Sequence, residues 1–336
     1  MKHVNIPIFI PHLGCPNGCV FCNQRSISGK ERFNADNMED EIRQVLSTVE
    51  RPAEVEIAFF GGSFTGIDRD LMIDLLERAE RFVAAGEVDS IRLSTRPDYI
   101  DDEVLQILSR YSVRTVELGL QSMDDGVLTA SKRGHTAEDG RRACALVKQY
   151  GFSLIGQMMV GLPTSSVESE ILTAEALCDS LVDGARVYPT VVFEETELCA
   201  MARAGQYVPL TLEEAVLRTK AVLDVFRKRN VPCIRVGLCT SENLSSDKVY
   251  GGASHSAIGE LAMGEIFYEE MCRLLDGQGS VAGKNVVFYV PRGAVSRAVG
   301  QKRVNLERIY KKYSPLRIKV LEKNDLMRYN IIINII

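Results

Sequence analysis

The sequence predicts an α/β protein whose main part is a parallel β-sheet and whose last residues form a smaller α+β unit. Short runs rich in β-branched residues alternate about six times with longer segments in which apolar residues recur every three or four positions. This alternation is typical of βαβ units with right-handed crossovers. A Gly-rich segment then separates the sheet from a stretch with a different pattern and the opposite net charge.

The predicted strands are short and apolar, and amphipathic segments connect them. The strands are expected at residues 4–10, 55–60, 91–95, 115–118, 154–160 and 185–189. The helices between them are expected at residues 38–49, 70–84, 101–109, 136–150 and 165–181. Asp101 and Thr136 stand where N-caps belong. Six such units make an open sheet or part of an eight-stranded TIM-type barrel, and in both the ligand site lies at the carboxyl ends of the strands.

The pattern changes beyond residue 188. A helix at 212–229, a strand at 232–238 and a helix at 259–275 complete a first domain of residues 1–275. Residues 276–284, "DGQGSVAGK", are Gly-rich and are predicted to be a linker. Residues 285–336 form a second domain, in which a strand, two helices and two strands are predicted at 286–290, 293–300, 304–313, 316–322 and 329–336.

The composition is that of a soluble globular protein, with 46% hydrophobic and 25% charged residues. No apolar run approaches the roughly 18 residues of a membrane span, so we expect no transmembrane helix and no association with a membrane. The apolar N-terminus is short and interrupted by prolines, and we expect no signal peptide. Nine cysteines without such a signal indicate a reducing cytoplasm, where closely spaced thiols usually bind metal or take part in catalysis.

The formal net charge of −5 is unevenly distributed along the chain. Residues 281–336 contain 12 Lys and Arg against 3 Asp and Glu, a net charge of +9, so the rest of the chain carries −14. A basic C-terminal unit on an acidic body indicates a module that faces a polyanion such as nucleic acid. A basic face that is merely solvated explains the charge equally well.

Three cysteines lie close together in "CPNGCVFC", at Cys15, Cys19 and Cys22, directly after the first predicted strand. Disulfides use cysteines in pairs, and a structural zinc site needs four ligands. Thiolates are the usual ligands of iron–sulfur clusters, and three of them leave one iron of a [4Fe–4S] cubane without a protein ligand. That iron is then free to bind a small molecule. The alternative is a zinc site whose fourth ligand is distant, such as His12 or Cys239.

The surroundings of the cysteines resemble the radical S-adenosylmethionine (SAM) superfamily. Phe21 stands directly before the last cysteine, and "FFGGSF" at residues 59–64 is similar to the motif that contacts the amino group of SAM in that family. The resemblance implies that the open iron chelates SAM and that the reduced cluster splits it to give a 5′-deoxyadenosyl radical. An electron donor such as flavodoxin or ferredoxin would reduce the cluster.

An ordered series of further motifs resembles the subgroup that contains the catalytic subunit of Elongator, which modifies the wobble uridine of tRNA. The motifs are "STRPDYID" at 94–101, "VELGLQSMDDGVL" at 116–128, "KRGHT" at 132–136, "IGQMMVGLP" at 155–163, "VYPTVV" at 187–192 and "YGGASHSAIGEL" at 250–261. The residues after the linker are too few for the acetyltransferase domain of that subunit. We therefore do not expect a carboxymethyl-type product on the strength of this resemblance.

The resemblance implies roles for individual residues. Cys15, Cys19 and Cys22 would hold the cluster. The residues expected to contact the cofactor are Phe21, Gly61, Gly62, Ser63, Ser94, Arg96, Gln121 and Gln157. The residues expected to be catalytic are Tyr188, His255, Arg133 and His135. An ordinary ion pair would equally explain Arg96, and a buried structural hydrogen bond would explain Gln157.

The basic C-terminal domain resembles a KH-type RNA-binding module. In "VPRGAVSRAVGQKRVNLERI" a strand and a helix lead to a short basic loop and a second helix, which is where KH modules carry a G-x-x-G loop. Here the loop is Gly-Gln-Lys-Arg, so Arg303 replaces the second glycine. The residues expected to contact RNA are Arg297, Gly300, Gln301, Lys302, Arg303, Lys311 and Lys312. The alternative is a domain that packs on the body or binds a protein.

The fold that we expect is therefore a partial (β/α)6 TIM-type barrel with a small KH-like α+β C-terminal domain. The expected function is that of a cytoplasmic radical SAM enzyme that abstracts a hydrogen atom from a nucleotide of tRNA or rRNA. Two alternatives remain open, namely a radical SAM enzyme for a small metabolite or tetrapyrrole and a non-enzymatic RNA-binding iron–sulfur protein. The oligomeric state and the group installed are not encoded in these motifs.

Overall fold

The computed structural model describes residues 2–15, 18–23, 33–238, 248–326 and 329–336. In this part of the chain the body of the protein contains nine strands. They are β1 (Lys2–Ile10), β2 (Ala53–Gly61), β3 (Ser90–Thr95), β4 (Val113–Gln121), β5 (Ser153–Val160), β6 (Gly184–Pro189), β7 (Val191–Phe193), β8 (Cys233–Val236) and β9 (Val249–Gly252).

The body also contains nine α-helices within the described ranges. They are α1 (Met38–Leu46), α2 (Arg69–Ala84), α3 (Asp102–Leu108), α4 (Asp125–Ala130), α5 (Ala137–Gln149), α6 (Val167–Asp179), α7 (Glu197–Arg203), α8 (Leu212–Lys228) and α9 (Ile258–Asp276). The predicted N-caps are present, because the Asp101 side chain accepts from the Val104 amide and Thr136 forms a capping box with Asp139. No described helix has both the length and the apolar character of a membrane span.

Seven of these strands form one curled parallel sheet in the order β1-β2-β3-β4-β5-β6-β8. Strands β7 and β9 pair antiparallel as a separate ribbon. The first and last strands of the sheet do not pair with each other, so the barrel is open on one side. The partial TIM-type barrel is thereby confirmed, with β8 as a seventh strand beyond the six βα units that the alternation predicts.

The two faces of the sheet differ in chemistry because side chains alternate along each strand. The outer face is apolar and packs against the helices, as the fully buried Ile6, Ile57 and Leu93 show. The inner face carries charged residues at buried positions, among them Glu56 and Arg92. The interior of the half-barrel is therefore polar, whereas the interior of a closed barrel is usually filled with branched apolar side chains.

The C-terminal unit is a three-stranded sheet covered by helices. Its elements are β10 (Asn285–Val290), α10 (Val295–Val299), α11 (Val304–Tyr313), β11 (Arg317–Glu322) and β12 (Ile332–Ile335). The central strand β10 is parallel to β11 and antiparallel to β12. The order of strand, two helices and two strands is the one that the sequence predicts.

Helix α9 belongs to both parts of the protein. Its residues Ala262 and Ile266 are buried in the core of the barrel, whereas Phe267, Met271 and Leu275 are buried in the core of the C-terminal unit. The segment predicted as a linker, residues 276–284, begins where α9 ends. The C-terminal unit thus borrows part of its core from the body.

A buried asparagine joins the two parts. The Asn305 Nδ2 donates to the carbonyl oxygens of Gly264 at 2.9 Å, Ala298 at 3.2 Å and Arg297 at 3.3 Å. Only 1% of Asn305 is exposed. Its amide therefore satisfies carbonyls of α9 and of α10 that would otherwise be buried without a donor.

Replacing this amide should destabilise the protein. We expect Asn305→Ala to lower the free energy of unfolding by about 1–3 kcal/mol, because it leaves buried carbonyls without a donor. Asn305→Asp should cost more, since a carboxylate would face the same carbonyl oxygens. Urea unfolding measures both, with the exposed Asn324→Asp as the control. An Asn305→Asp protein as stable as this control would contradict the prediction.

Candidate active site

The cysteine loop follows the carboxyl end of β1 and is held between two other segments of the body. The amide of Val20 donates to the Ser131 carbonyl at 3.3 Å, and the amide of Leu198 in α7 donates to the Val20 carbonyl at 2.7 Å. Phe21, next to Val20, packs against an apolar cluster that includes Leu198. The predicted contact of Phe21 with the cofactor stays a prediction.

A close approach of two backbones fixes the loop against the end of β2. A Cβ added to Gly62 would lie 2.0 Å from the carbonyl oxygen of Leu13. The Gly62 and Ser63 amides donate to the carbonyls of Ile10 at 2.8 Å and Leu13 at 3.0 Å. Glycine is thus required at position 62 by the cysteine loop itself. The expected contacts of Gly61, Gly62 and Ser63 with the cofactor stay predictions.

The three cysteines are near neighbours but do not form a ready site for a single ion. In the described residues, no three side chains of His, Cys, Asp or Glu are arranged to hold one metal ion. This arrangement disfavours mononuclear zinc, whereas the thiolates of a cubane bind separate irons and need not converge. Cys239, proposed above as a distant zinc ligand, lies outside the described residues.

Arg133 makes the only printed side-chain contact between the "KRGH" segment and a cysteine of the loop. Its Nη1 lies 3.1 Å from the Cys19 Sγ, and its Nη2 donates to the Gly119 carbonyl at 2.6 Å. The Arg96 Nη2 donates to the Arg133 carbonyl, while a bidentate pair with Asp98 holds the Arg96 guanidinium. The structure therefore brings both arginines to the cysteine loop.

Several buried polar atoms around this loop have no partner among the described residues. They are Arg96 Nη1, Ser131 Oγ, Arg133 Nε and His135 Nε2. Buried polar groups are normally hydrogen-bonded, so unpaired donors concentrated at one place indicate a ligand. Guanidinium donors suit a carboxylate, which is what the methionine end of SAM carries. The residues present therefore fit the cofactor that the sequence resemblance implies.

His135 is held in the neutral state at this site. Burial, followed by the nearby charge of Arg133, lowers its pKa from 6.5 to about 4. Its Nδ1 lies 3.3 Å from the Thr136 carbonyl oxygen. A neutral imidazole near two arginines adds a hydrogen-bonding group without adding positive charge.

Other predicted contacts lie close to the same edge of the sheet. Gln121 ends β4 with a left-handed φ of 66°, and a Cβ on Gly119 would lie 3.1 Å from the Gln121 Nε2 and 3.6 Å from the Arg133 Nη2. The Cys15 Sγ lies 3.8 Å from the Ser63 Oγ. Gln121 and Ser63 are thus placed with the arginine and the cysteines, as the motif order predicts.

The interior of the barrel contains an ion-pair network that the sequence motifs did not single out. Arg92 bridges Glu56 and Glu117, at 2.8 and 2.7 Å, and Arg186 donates to Glu117 at 2.9 Å. Gln157 donates to Glu117 at 2.8 Å and lies 3.4 Å from the Ser94 Oγ. The buried structural hydrogen bond considered above for Gln157 is thus present, and contacts of Gln157 and Ser94 with the cofactor stay predictions.

The two remaining predicted catalytic residues have different environments. Tyr188 lies in the barrel interior, where its hydroxyl accepts from Arg186 Nη1 at 3.4 Å. His255 lies in the segment between β9 and α9, and its Nδ1 accepts from the Ala257 amide at 3.1 Å. The His255 ring therefore stabilises the start of α9, and a catalytic role for it stays a prediction.

The basic loop of the C-terminal unit connects α10 to α11. Lys302 and Arg303 are exposed and have left-handed φ values of 52° and 67°. Such backbone is costly for residues other than glycine, and it occurs most often at functional sites. Neither side chain forms an ion pair with a described residue. The exposed loop is therefore available to a polyanion.

The other predicted RNA contacts are engaged differently. Arg297 forms a bidentate ion pair with Glu260 of α9, at 2.9 Å. Lys311 and Lys312 lie in the last turn of α11, at the opposite end of this helix from the loop, where cations are stabilised by the helix dipole. Arg308, which was not predicted, pairs with Glu265 at 2.6 Å. Part of the basic charge thus serves to dock the unit on α9.

The basic loop lies at the same edge of the barrel as the cysteines. Gly300 and Val304 line a cavity of about 330 Å³ together with the first turns of α8 and α9. Helix α9 starts at the carboxyl end of the sheet, because a Cβ on Gly259 would lie 2.9 Å from Val236, the last residue of β8. The cysteine loop follows the carboxyl end of β1, so both loops belong to this edge.

The close approach at Gly62 is testable. We expect Gly62→Ala to lose most of its iron after anaerobic reconstitution, because the new methyl group would displace the cysteine loop from the end of β2. Gly18→Ala is the matched control, since a Cβ there meets no atom within 4 Å. Iron and acid-labile sulfide per chain are the measurements. Equal loading of the two variants would contradict the prediction.

Two family models cover most of the chain. The radical SAM superfamily model matches residues 9–176, and the model of the radical SAM C-terminal domain matches residues 182–266. The archaeal Elp3 structure from Methanocaldococcus infernus has a TM-score of 0.62 at 21% identity, covering 81% of this chain and 63% of that chain, and shows the same fold.

Curated relatives match the same region. A tRNA uridine(34) acetyltransferase of M. infernus is 29% identical over 60% of this chain and 46% of its own length. A putative methylthiotransferase of Methanocaldococcus jannaschii is 27% identical over 62% of this chain and 49% of its own length. The chain thus spans about half the length of these relatives. It belongs to the radical SAM superfamily, and its cofactors are those of the family, a [4Fe–4S] cluster and S-adenosylmethionine.

Proposed function

We propose that the chain is a radical SAM enzyme that modifies a nucleotide of tRNA or rRNA and that its C-terminal unit binds the RNA beside the active site. The observation that carries this proposal is the position of the basic loop. Lys302 and Arg303 lie at the edge of the barrel where the cysteine loop also lies. RNA bound at the loop is therefore on the side of the barrel from which its interior is reached.

The residues of the site have distinct tasks in this proposal. Cys15, Cys19 and Cys22 hold the cluster, and the unpaired donors of Arg96 and Arg133 orient the carboxylate end of SAM. The two cofactors together supply a 5′-deoxyadenosyl radical. The polar interior of the barrel holds the substrate and keeps bulk water away from the reacting atoms.

The names of the relatives support an RNA substrate. Several carry the name tRNA uridine(34) acetyltransferase, and a relative from Schizosaccharomyces pombe is Elongator complex protein 3. Because the chain matches only about half of the first two, their acetyl transfer is not carried over. We propose only the radical step on an RNA nucleotide, in the cytoplasm, with flavodoxin or ferredoxin as the class of electron donor.

The function is tested by mass spectrometry of tRNA and rRNA nucleosides from a deletion strain and its parent. We expect one modified nucleoside to be missing from the deletion strain. Wild type and Cys233→Ala, which alters a thiol outside the cluster, should restore it, whereas Cys19→Ala should not. Purified, reconstituted enzyme should form 5′-deoxyadenosine with RNA from the deletion strain as substrate.

Other outcomes would favour the rival functions. If no nucleoside changes and 5′-deoxyadenosine forms only with a small metabolite or tetrapyrrole, the RNA substrate is wrong. If the protein binds RNA but well-loaded enzyme never forms 5′-deoxyadenosine with any RNA, the non-enzymatic iron–sulfur protein is the better description.

The basic loop makes a separate, quantitative prediction about salt. Each phosphate contact contributes about 0.7 to 0.9 to the slope of log K against log salt concentration. We therefore expect Lys302→Gln and Arg303→Gln each to reduce the slope for tRNA by about that amount, as measured by filter binding. Lys319→Gln, an exposed change on β11, is the control. Slopes unchanged in both loop variants would remove the loop from the RNA contact.

A further inference from the structure

The charges inside the barrel do not balance, and the imbalance begins with carboxylates that are already fully used. Glu56 interacts with Ser90, Arg92 and His3, each at 2.8 or 2.9 Å. Glu117 is in contact with Arg92, Arg186 and Gln157. Glu117 is fully buried and Glu56 is 2% exposed. Neither carboxylate therefore has capacity left for another cation.

One guanidinium of the interior remains without a carboxylate. Arg235 lies on β8 in register with Arg186 of β6, and the two strands are neighbours in the sheet. The outer face of β8 is marked by Val236, which packs against α9 at Gly259, so the alternation along the strand directs Arg235 inward. Its Nε donates to the Gly237 carbonyl at 3.2 Å, and it forms no ion pair with any described residue.

Two arginines side by side on adjacent strands repel each other unless an anion lies between them. The charge of Arg186 is balanced by Glu117, at 2.9 Å. The charge of Arg235 is not balanced within the described chain. A half-buried guanidinium in this position favours an oxyanion, because the planar donor fork of arginine matches carboxylate and phosphate.

We propose that Arg235, together with Arg186 and the hydroxyl of Tyr188, forms a subsite in the barrel interior for an oxyanion group of the substrate. Tyr188 accepts a hydrogen bond from Arg186, so its own proton is free to be donated. Burial raises the pKa of Tyr188, which keeps the phenol protonated at neutral pH. The subsite thus offers two cations and one neutral donor on strands β6 and β8.

The oxyanion has two possible sources of the same chemistry. In an RNA substrate it is the phosphate next to the target nucleoside, an assignment that rests on the proposed function. In a small-molecule substrate it is a carboxylate. The aromatic ring of Phe60 lies 5.4 Å from the Arg186 guanidinium carbon and gives the interior an apolar surface beside the cations. A flat base joined to a phosphate suits this combination, and we expect the phosphate.

The test measures binding without catalysis. Cluster-loaded protein is equilibrated with SAM in the absence of reductant, so that no radical forms. Equilibrium dialysis then measures the affinity for the four ribonucleoside 5′-monophosphates, for the matching nucleosides and for malonate. The variants are Arg235→Gln, Arg235→Lys and the exposed surface control Arg110→Gln, and thermal unfolding shows that each is folded.

We expect wild type to bind at least one monophosphate more tightly than its nucleoside. Arg235→Gln should lose at least tenfold in affinity for that monophosphate with nucleoside binding unchanged. Arg235→Lys should recover part of the loss because the charge is kept. Malonate binding that depends on Arg235, without monophosphate binding, would support the subsite and assign it to a carboxylate.

Two results would overturn the proposal. One is equal affinity of wild type and Arg235→Gln for every anion tested. The other is a wild-type protein that does not distinguish anions from neutral nucleosides. Neither result bears on the nucleoside analysis of the deletion strain, so failure of the oxyanion subsite is distinguishable from failure of the proposed function.

Discussion

The ion-pair network on the concave face of the sheet is the constraint on which the rest of the barrel depends. Glu56, Arg92, Glu117 and Arg186 stand on four different strands and connect β2 to β6. Burying charges is expensive, and it is sustained here because each carboxylate is contacted by several donors at once. The network fixes the depth at which the strands meet, and it leaves the interior polar. An open half-barrel lined in this way can receive a hydrated, charged substrate that an apolar interior would exclude.

The βα units, their caps and the cysteine loop could be predicted from the sequence because each signal is local. The strands and helices follow from periodicity, and Asp101 and Thr136 cap the helices at which they were placed. The ion-pair network could not be predicted in the same way. Each member is one isolated charge in an otherwise apolar run, and only the register of neighbouring strands shows that the charges lie at one level. A search for one buried charge per strand would have found them.

The reason for the paired glycines also depends on distant residues. The motif suggests close approach of a ligand, but the structure shows that the Leu13 carbonyl already occupies the space beside Gly62. The basic tail is a similar case. Its charge of +9 is visible in the sequence, whereas its division into docking and exposed cations is not. Arg297 and Arg308 pair with Glu260 and Glu265, which precede them by about 40 residues and are neighbours only once the unit packs on α9.

Helix α9 contributes to two hydrophobic cores, and this has a consequence for how the protein could have evolved. A module that carries its own core can be lost or exchanged as a cassette, whereas the C-terminal unit here needs Phe267, Met271 and Leu275 from the body. Removing the unit would expose this apolar stripe of α9, and grafting it elsewhere would leave it underfilled. The helix also sets a fixed spacing between the basic loop and the barrel edge. Insertions in α9 would change that spacing in steps of 1.5 Å per residue, about the rise of an α-helix, so selection on it acts as selection on helix length.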